Sequence, residues 1–549
     1  MSKRNCAVAL KKRRILEKYK QLIKSAIAAF MLFSTLIGCT PPDGERGRIE
    51  TRANNETLVG KLEDGVSVFR GIPFAQPPLD DLRWRAPRAP IPRAGEQQAT
   101  EFSAACMQDT YLTDWYGDVM SAFGGDRGKA PIPLAVSEDC LYLNIWAPTI
   151  DRDAKLPVMV FFYGGSNLSG WTYEPNYLGH QLSKKNVVVV SVAYRLGIFG
   201  AFVHPEMATQ NSGDRSGNFH LLDLIAGLQW LKGNVSSFGG DPSNITIFGE
   251  SAGAANIGYL SVSPLAKGLY HQAIKQSGGF ETNSGYANTY SQEQAMGASL
   301  ASAFDVKTLS ELRAIPADLM HNTAMRHFGD ESQKTFYAIV DNYVLPDTPS
   351  KLMAAGKVNP AKYLLGSNAD ENLMYTSEDT DENDISQYMH KWFPSETHQG
   401  LSLELTSVRG KREQLALLDD SVDYYCPTQK QAKIMHDVNP DSAYIYYFTR
   451  ARDNPSGTQI GAYHGAELPY VFGTHDDWLP TSEIDAELSE TIMAYWVNFA
   501  TKGDPNGEGL PTWQSFNHQR RSVMELGDRV SMIDPPAQQI CQLLGAGGI

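Results

Sequence analysis

The sequence predicts an α/β fold, a mostly parallel, doubly wound central sheet with antiparallel strands before it and helical insertions over its active edge. Three observations carry this. Near-continuous apolar runs at 141–147, 156–163 and 187–194 read as strands covered on both faces. They are separated by stretches long enough for crossovers, and a helical periodicity at 220–231 precedes the next strand. Further apolar strands follow at 271–277, 363–366 and 443–448, so strand and helix alternate.

Taken in order, residues 48–75 read as a short β-meander, with Leu58, Val59, Val66, Val68 and Phe69 in its strands and a proline-rich exit at Pro73, Pro77 and Pro78. Between 284 and 350, and again from 376 to 433, the pattern turns helical and polar without linker composition on either side, as expected of insertions over a sheet edge. The 549 residues would fill three or four domains of about 150 residues, but large α/β enzymes grow one core by insertion, and a single domain over 39–549 is expected. With 42% hydrophobic and 20% charged residues the chain has ample material for a core.

The front of the chain is a separate object. Residues 3–24 carry nine Lys/Arg against the single acid Glu17, and an apolar run follows at 26–38. That run is shorter than the roughly 20 residues needed to span a bilayer, and reads as a secretory signal over 1–38. Its ending, Leu36-Ile37-Gly38-Cys39, resembles a bacterial lipobox, which implies cleavage before Cys39 and lipid on that cysteine. The expected location is the cell envelope, tethered to a membrane on its extracytoplasmic side. The net charge is −14 with that basic segment included, so the body is more acidic still, which argues against nucleic acid as a partner.

Once Cys6 goes with the signal and Cys39 with the lipid, four cysteines remain, and an oxidising compartment makes disulfides their default. Three connectivities are possible. The expected one pairs Cys106 with Cys140 and Cys426 with Cys541, the first closing a long loop that contains Trp115, Tyr116, Phe123, Gly124 and Gly125. No C-x-x-C or H-E-x-x-H spacing occurs, so no metal site is expected.

The chemistry is concentrated in Gly249-Glu-Ser-Ala-Gly253, a G-x-S-x-G between an apolar strand and a small, apolar helix. This is the pattern of a nucleophile elbow: the chain reverses so sharply that Ser251 is strained, and glycines two positions either side remove colliding side chains. A serine hydroxyl needs a base and an acid to orient that base. His464 follows the last strand read from the sequence and has Gly461 and Gly465 around it, and Asp370 and Glu371 lie just past a strand. The order serine, acid, histidine is that of the α/β-hydrolases. A Gly164-Gly165-Ser166 turn after an apolar strand offers backbone N–H groups to a developing oxyanion. Trp115, Tyr116, Trp171 and Tyr173 are candidates for a substrate pocket, though aromatic stripes more often pack a core.

The chain resembles the type-B carboxylesterases, the esterase, lipase and cholinesterase family. Matching stretches run from Phe69-Arg-Gly-Ile-Pro-Phe-Ala through Ser137-Glu-Asp-Cys-Leu-Tyr-Leu-Asn-Ile-Trp and Phe248-Gly-Glu-Ser-Ala-Gly to Gly503-Asp-Pro-Asn. The resemblance implies an α/β-hydrolase that cleaves small ester substrates without a cofactor. It implies Ser251 as nucleophile, Glu371 rather than Asp370 as acid and His464 as base. It also implies oxyanion donors at Gly165, Ser166 and Ala252, and the Cys106–Cys140 bridge. Three positions depart from the family pattern. Ser166 stands for a third glycine, Asn372 for the glycine after the acid, and His220 with Leu224 for a glycine and a glutamine before the elbow. The choline-binding tryptophan of cholinesterases has no clear counterpart, so acetylcholine is not the expected substrate.

Overall fold

The structure, a computed structural model, describes residues 47–282, 286–329, 336–453, 459–519 and 521–545. The expected signal segment and Cys39 lie outside these. Among the described residues no helix is long and apolar enough to cross a membrane.

Twelve strands run in one path. They are β1 (Arg48–Ala53), β2 (Glu56–Glu63), β3 (Val66–Pro73), β4 (Tyr142–Ala147), β5 (Leu156–Phe162), β6 (Val188–Val192), β7 (Gly240–Glu250), β8 (Gln272–Gln276), β9 (Lys362–Asn368), β10 (Ala443–Phe448), β11 (Val523–Leu526) and β12 (Val530–Ile533). Their spatial order is β1-β2-β3-β4-β6-β5-β7-β8-β9-β10-β11-β12, and the short strand Glu96–Gln98 pairs with β2. From β6 to β11 every pair is parallel, whereas β2, β3 and β4 meet antiparallel and β12 closes the far edge antiparallel. The expected doubly wound sheet with an antiparallel N-terminal edge is therefore present. Its centre is dry: Val158, Val160, Val188, Val190, Ile245 and Ile247 are fully buried, which is why these strands are apolar on both faces.

Two expectations need correction. The segment closed by Cys106 and Cys140 is not a long loop, because Tyr111–Ala122 forms helix α1. A β-carbon on its Gly117 would lie 2.7 Å from Arg127 Cγ, so that glycine serves close packing inside the helix. The sheet also continues past β10. β11 and β12 are four residues each, too short for their periodicity to show in sequence.

The helices that matter below are α2 (Phe219–Asn234), α3 (Ala252–Val262), α4 (Lys411–Asp420), α5 (Cys426–Val438), α6 (Glu483–Lys502) and α7 (Gln538–Gly545). Between α4 and α5 the chain makes one π-helical turn, Ser421–Tyr425. Both expected disulfides are formed, Cys106 to Cys140 and Cys426 to Cys541, with Cα separations of 5.0 and 5.2 Å.

Candidate active site

The carboxyl ends of β5, β7, β9 and β10 open onto one edge, and each is followed by a segment that brings a side chain or turn to the same cavity. This is where open α/β sheets place their ligands. The cavity holds about 410 Å³ and is lined by Ser251, His464, Gly165 and Ser166, among others.

Ser251 stands between β7 and α3 with φ 54° and ψ −125°, a conformation an L-residue adopts only when its surroundings enforce it. The enforcement is visible. Ser251 N–H donates to Gln276 O at 2.9 Å, on the neighbouring strand. A β-carbon on Gly249 would lie 2.7 Å from Phe162 O, and one on Gly253 would lie 2.0 Å from the same oxygen. Only glycine on both sides lets the elbow lie against the end of β5.

Glu371 follows β9 and is wholly buried. Its Oε1 accepts from Asn368 N–H at 2.7 Å, and its Oε2 lies 2.6 Å from His464 Nδ1. One imidazole nitrogen is thereby committed to the acid, which leaves Nε2 for the cavity. Asp370, the other candidate, turns away and caps the loop before the histidine by accepting from Ala462 N–H at 2.8 Å. Asn372, in the place of the family's glycine, has φ −100°, so the position does not require positive φ. No hydrogen bond among the described residues joins Ser251 Oγ to His464, although both side chains line the cavity. His464 Nε2 instead lies 3.2 Å from Glu250 Oε1.

A buried polar network ties Ser251 and Glu371 together. Gln276, whose carbonyl holds Ser251, donates its side chain to Glu467 Oε1 at 3.0 Å; Glu467 Oε2 accepts from Asn368 Nδ2 at 2.6 Å; Asn368 N–H holds Glu371. Trp496 of α6 donates to Gln276 Oε1 at 3.1 Å and fixes its orientation.

The Gly164–Ser166 turn leaves β5 beside the elbow, with φ 85° at Gly165 and 58° at Ser166. A β-carbon on Gly165 would lie 2.0 Å from Ser169 O, whereas Ser166 takes the left-handed conformation that its family position otherwise gives to glycine. Asn167 pins the turn, its carbonyl accepting from Gly197 N–H at 2.7 Å and its Oδ1 from Asn256 of α3 at 2.9 Å. Ala252 does not line the cavity but opens α3, where a helix leaves its N–H groups without intrahelical acceptors. The disulfide contributes at one remove. Gln108, two residues after Cys106, accepts from Ser169 Oγ and Gly170 N–H at 2.7 and 2.9 Å, so the bridged segment holds the turn in place.

Of the aromatics read from the sequence, Trp115 and Tyr116 line the cavity; Trp171 is buried elsewhere and Tyr173 stacks on Phe102 at 4.6 Å. Sequence reasoning missed the carboxyls. Glu174, Glu250 and Asp423 line the cavity, and no Lys or Arg does among the described residues. Burial raises Glu250 and Glu174 to about 8. Burial pulls His464 down, but Glu250, Glu371 and Glu467 outweigh it and raise the imidazole to about 9. The placement of Glu250 inside G-x-S-x-G was the one signal available; nothing in sequence marked Glu174 or Asp423.

With this geometry in view, similarity to known proteins is specific. Residues 46–544 match the family described as the carboxylesterase family. The chain is 33% identical over 501 residues to carboxylesterase 1C of Rattus norvegicus, covering 84% of this chain and 85% of that protein. It is 30% identical over 535 residues to fumonisin B1 esterase of Sphingopyxis macrogoltabida, covering 92% and 91%. Among solved structures, a carboxylesterase of Geobacillus stearothermophilus superposes with a TM-score of 0.78 at 27% identity, over 90% of this chain and 99% of that one.

Proposed function

Since this chain belongs to the carboxylesterase family and is an α/β-hydrolase that cleaves carboxylic esters, we propose that Ser251 is its nucleophile and that hydrolysis runs through an acyl-enzyme on that serine. His464 Nε2 takes the Ser251 proton as Oγ attacks the ester carbonyl. Glu371, bonded to Nδ1, holds the tautomer that leaves Nε2 free and stabilises the imidazolium that forms. The N–H groups of Gly165, Ser166 and Ala252 receive the oxyanion, each worth about 3 to 4 kcal/mol in sites of this kind. The alcohol leaves with the proton from His464, and water, activated by the same imidazole, releases the acid. The scheme calls for no cofactor.

The single observation that supports this most is the 2.6 Å contact between His464 and a fully buried Glu371, beside a serine held at positive φ in the same cavity. The scheme requires His464 Nε2 to turn from Glu250 to Ser251 Oγ when substrate binds, as catalytic hydrogen bonds are often long in unliganded sites. The test is a pre-steady-state trace with p-nitrophenyl acetate. A burst of nitrophenol equal to the enzyme concentration supports the acyl-enzyme; a linear trace, coupled with unimpaired turnover by Ser251→Ala, overturns it.

We also propose that the enzyme is tethered by lipid on Cys39, a reading supported by the Leu36-Ile37-Gly38-Cys39 ending. Metabolic labelling with a radioactive fatty acid should tag the protein and fail with Cys39→Ala. Equal labelling of both forms contradicts the assignment.

A further inference from the structure

We propose that a second cavity, between α5, α7 and the loop carrying Phe516 and Arg521, binds an aliphatic carboxylate. The cavity holds about 240 Å³. At about 30 Å³ per water it has room for roughly eight, or for an aliphatic chain of similar heavy-atom count. Its walls are largely apolar: Phe516, Leu544, Pro427 and the Cys426–Cys541 disulfide. Its Lys and Arg lining is of one sign. Lys430, Lys433 and Arg521 face it, with His518 beside them, and among the described residues no Asp or Glu does.

The pairing of these cations matters more than their number. Lys433 Nζ reaches Asp437 Oδ2 at 3.3 Å, and His518 contacts the same carboxylate. Lys430 and Arg521 are left without an acidic partner among the described residues. Lys430 is half-buried, and that burial lowers its affinity for the proton, as expected of an ammonium that has lost water and gained no counter-charge. Arg521 is exposed and stays hydrated, but for the half-buried Lys430 an unpaired charge beside an apolar wall is costly, and a carboxylate with a hydrocarbon tail answers both needs at once. The contrast within the molecule sharpens this. The net charge is −14 and the catalytic cavity presents carboxyls with no Lys or Arg among the described residues, so unpaired cations concentrated in one apolar recess run against the overall balance.

The test is isothermal titration of the full-length protein with octanoate, in three arms. Wild type should bind one equivalent, and so should protein whose Ser251 carries a phenylmethylsulfonyl group. Lys430→Glu with Arg521→Glu should weaken binding at least tenfold while esterase turnover is retained. Lys430→Gln, a milder change, should weaken binding severalfold and guards against misfolding in the double variant. Octan-1-ol should bind at least tenfold more weakly than octanoate. The proposal is overturned if octanoate fails to bind at millimolar concentration, or if the charge reversals leave its affinity unchanged. It is also overturned if blocking Ser251 abolishes binding, which would put the ligand in the catalytic cavity. Because the Ser251 arm is separate, failure here leaves the catalytic assignment standing, and the reverse also holds.

Discussion

His464 Nε2 lies 3.2 Å from Glu250 Oε1, but among the described residues that oxygen makes no hydrogen bond, so the carboxyl next to Ser251 acts on the imidazole through charge rather than a directed bond. That charge is one of the three that outweigh burial and raise His464. As the proposed base, His464 works only when neutral, so kcat/KM should fall as pH drops through the His464 pKa. The acid limb should therefore lie above the ordinary imidazole value of about 6.5. Glu250→Gln removes one raising charge, and the limb should move to lower pH by about half a unit or more. A pH profile of kcat/KM for both proteins checks this; a limb that stays put, or rises, refutes the coupling.

The cavity should also discriminate by charge. Glu174, Glu250 and Asp423 line it and, among the described residues, no Lys or Arg does, so an ester bearing a second, ionised carboxylate is repelled once those carboxyls ionise. Two like charges about 10 Å apart at an effective dielectric of 20 repel by about 1.7 kcal/mol, more than a factor of ten. Burial holds Glu174 and Glu250 at about 8, so both gain charge between pH 7 and 9, and discrimination should grow over that interval. Matched neutral and carboxylate-bearing esters of one alcohol, compared by kcat/KM at both pH values, give the answer. Equal rates would mean that these carboxyls do not reach the substrate.

Gly164 tests the fit between turn and elbow. A β-carbon there would lie 2.9 Å from Ser251 Cβ and 2.8 Å from Glu250 Oε2. Gly164→Ala should lower kcat by about 10² or more, since small misplacements of reacting groups cost that much, with a smaller effect on thermal stability. A variant with normal kcat would show that the turn can retreat without disturbing the nucleophile.

The Cys106–Cys140 bridge closes 34 residues and carries Gln108, which holds the Gly165 turn. Loop entropy assigns a closure of that length about 4 kcal/mol. Replacing both cysteines by alanine should lower the denaturation midpoint accordingly and should also reduce kcat, because Gln108 loses its anchor. Loss of stability with unchanged kcat would separate the bridge from the site.

Much of this was legible before the structure. The parallel strands showed because burial on both faces leaves a continuous apolar run, and Ser251 showed because an elbow needs glycine at 249 and 253. Where the sequence misled, the reason is tertiary. The segment closed by Cys106 and Cys140 read as a loop but holds a helix that packs on Arg127 at Gly117, and Asn372 stands where a glycine was expected although its backbone is ordinary. Asp370 and Glu371 are adjacent in sequence and can only be told apart by direction, one capping Ala462 and the other reaching His464. Glu174 and Asp423 carry no local pattern, since their meaning comes from the cavity that distant segments build around them.

The account rests on one hydroxyl. Treating the native enzyme with a fluorophosphonate and locating the adduct by peptide mass spectrometry tests it most directly. The account predicts a single adduct on Ser251, complete loss of turnover in proportion to labelling, and no adduct with Ser251→Ala. Labelling at another residue that abolishes turnover, or full turnover by a protein labelled at Ser251, would contradict it.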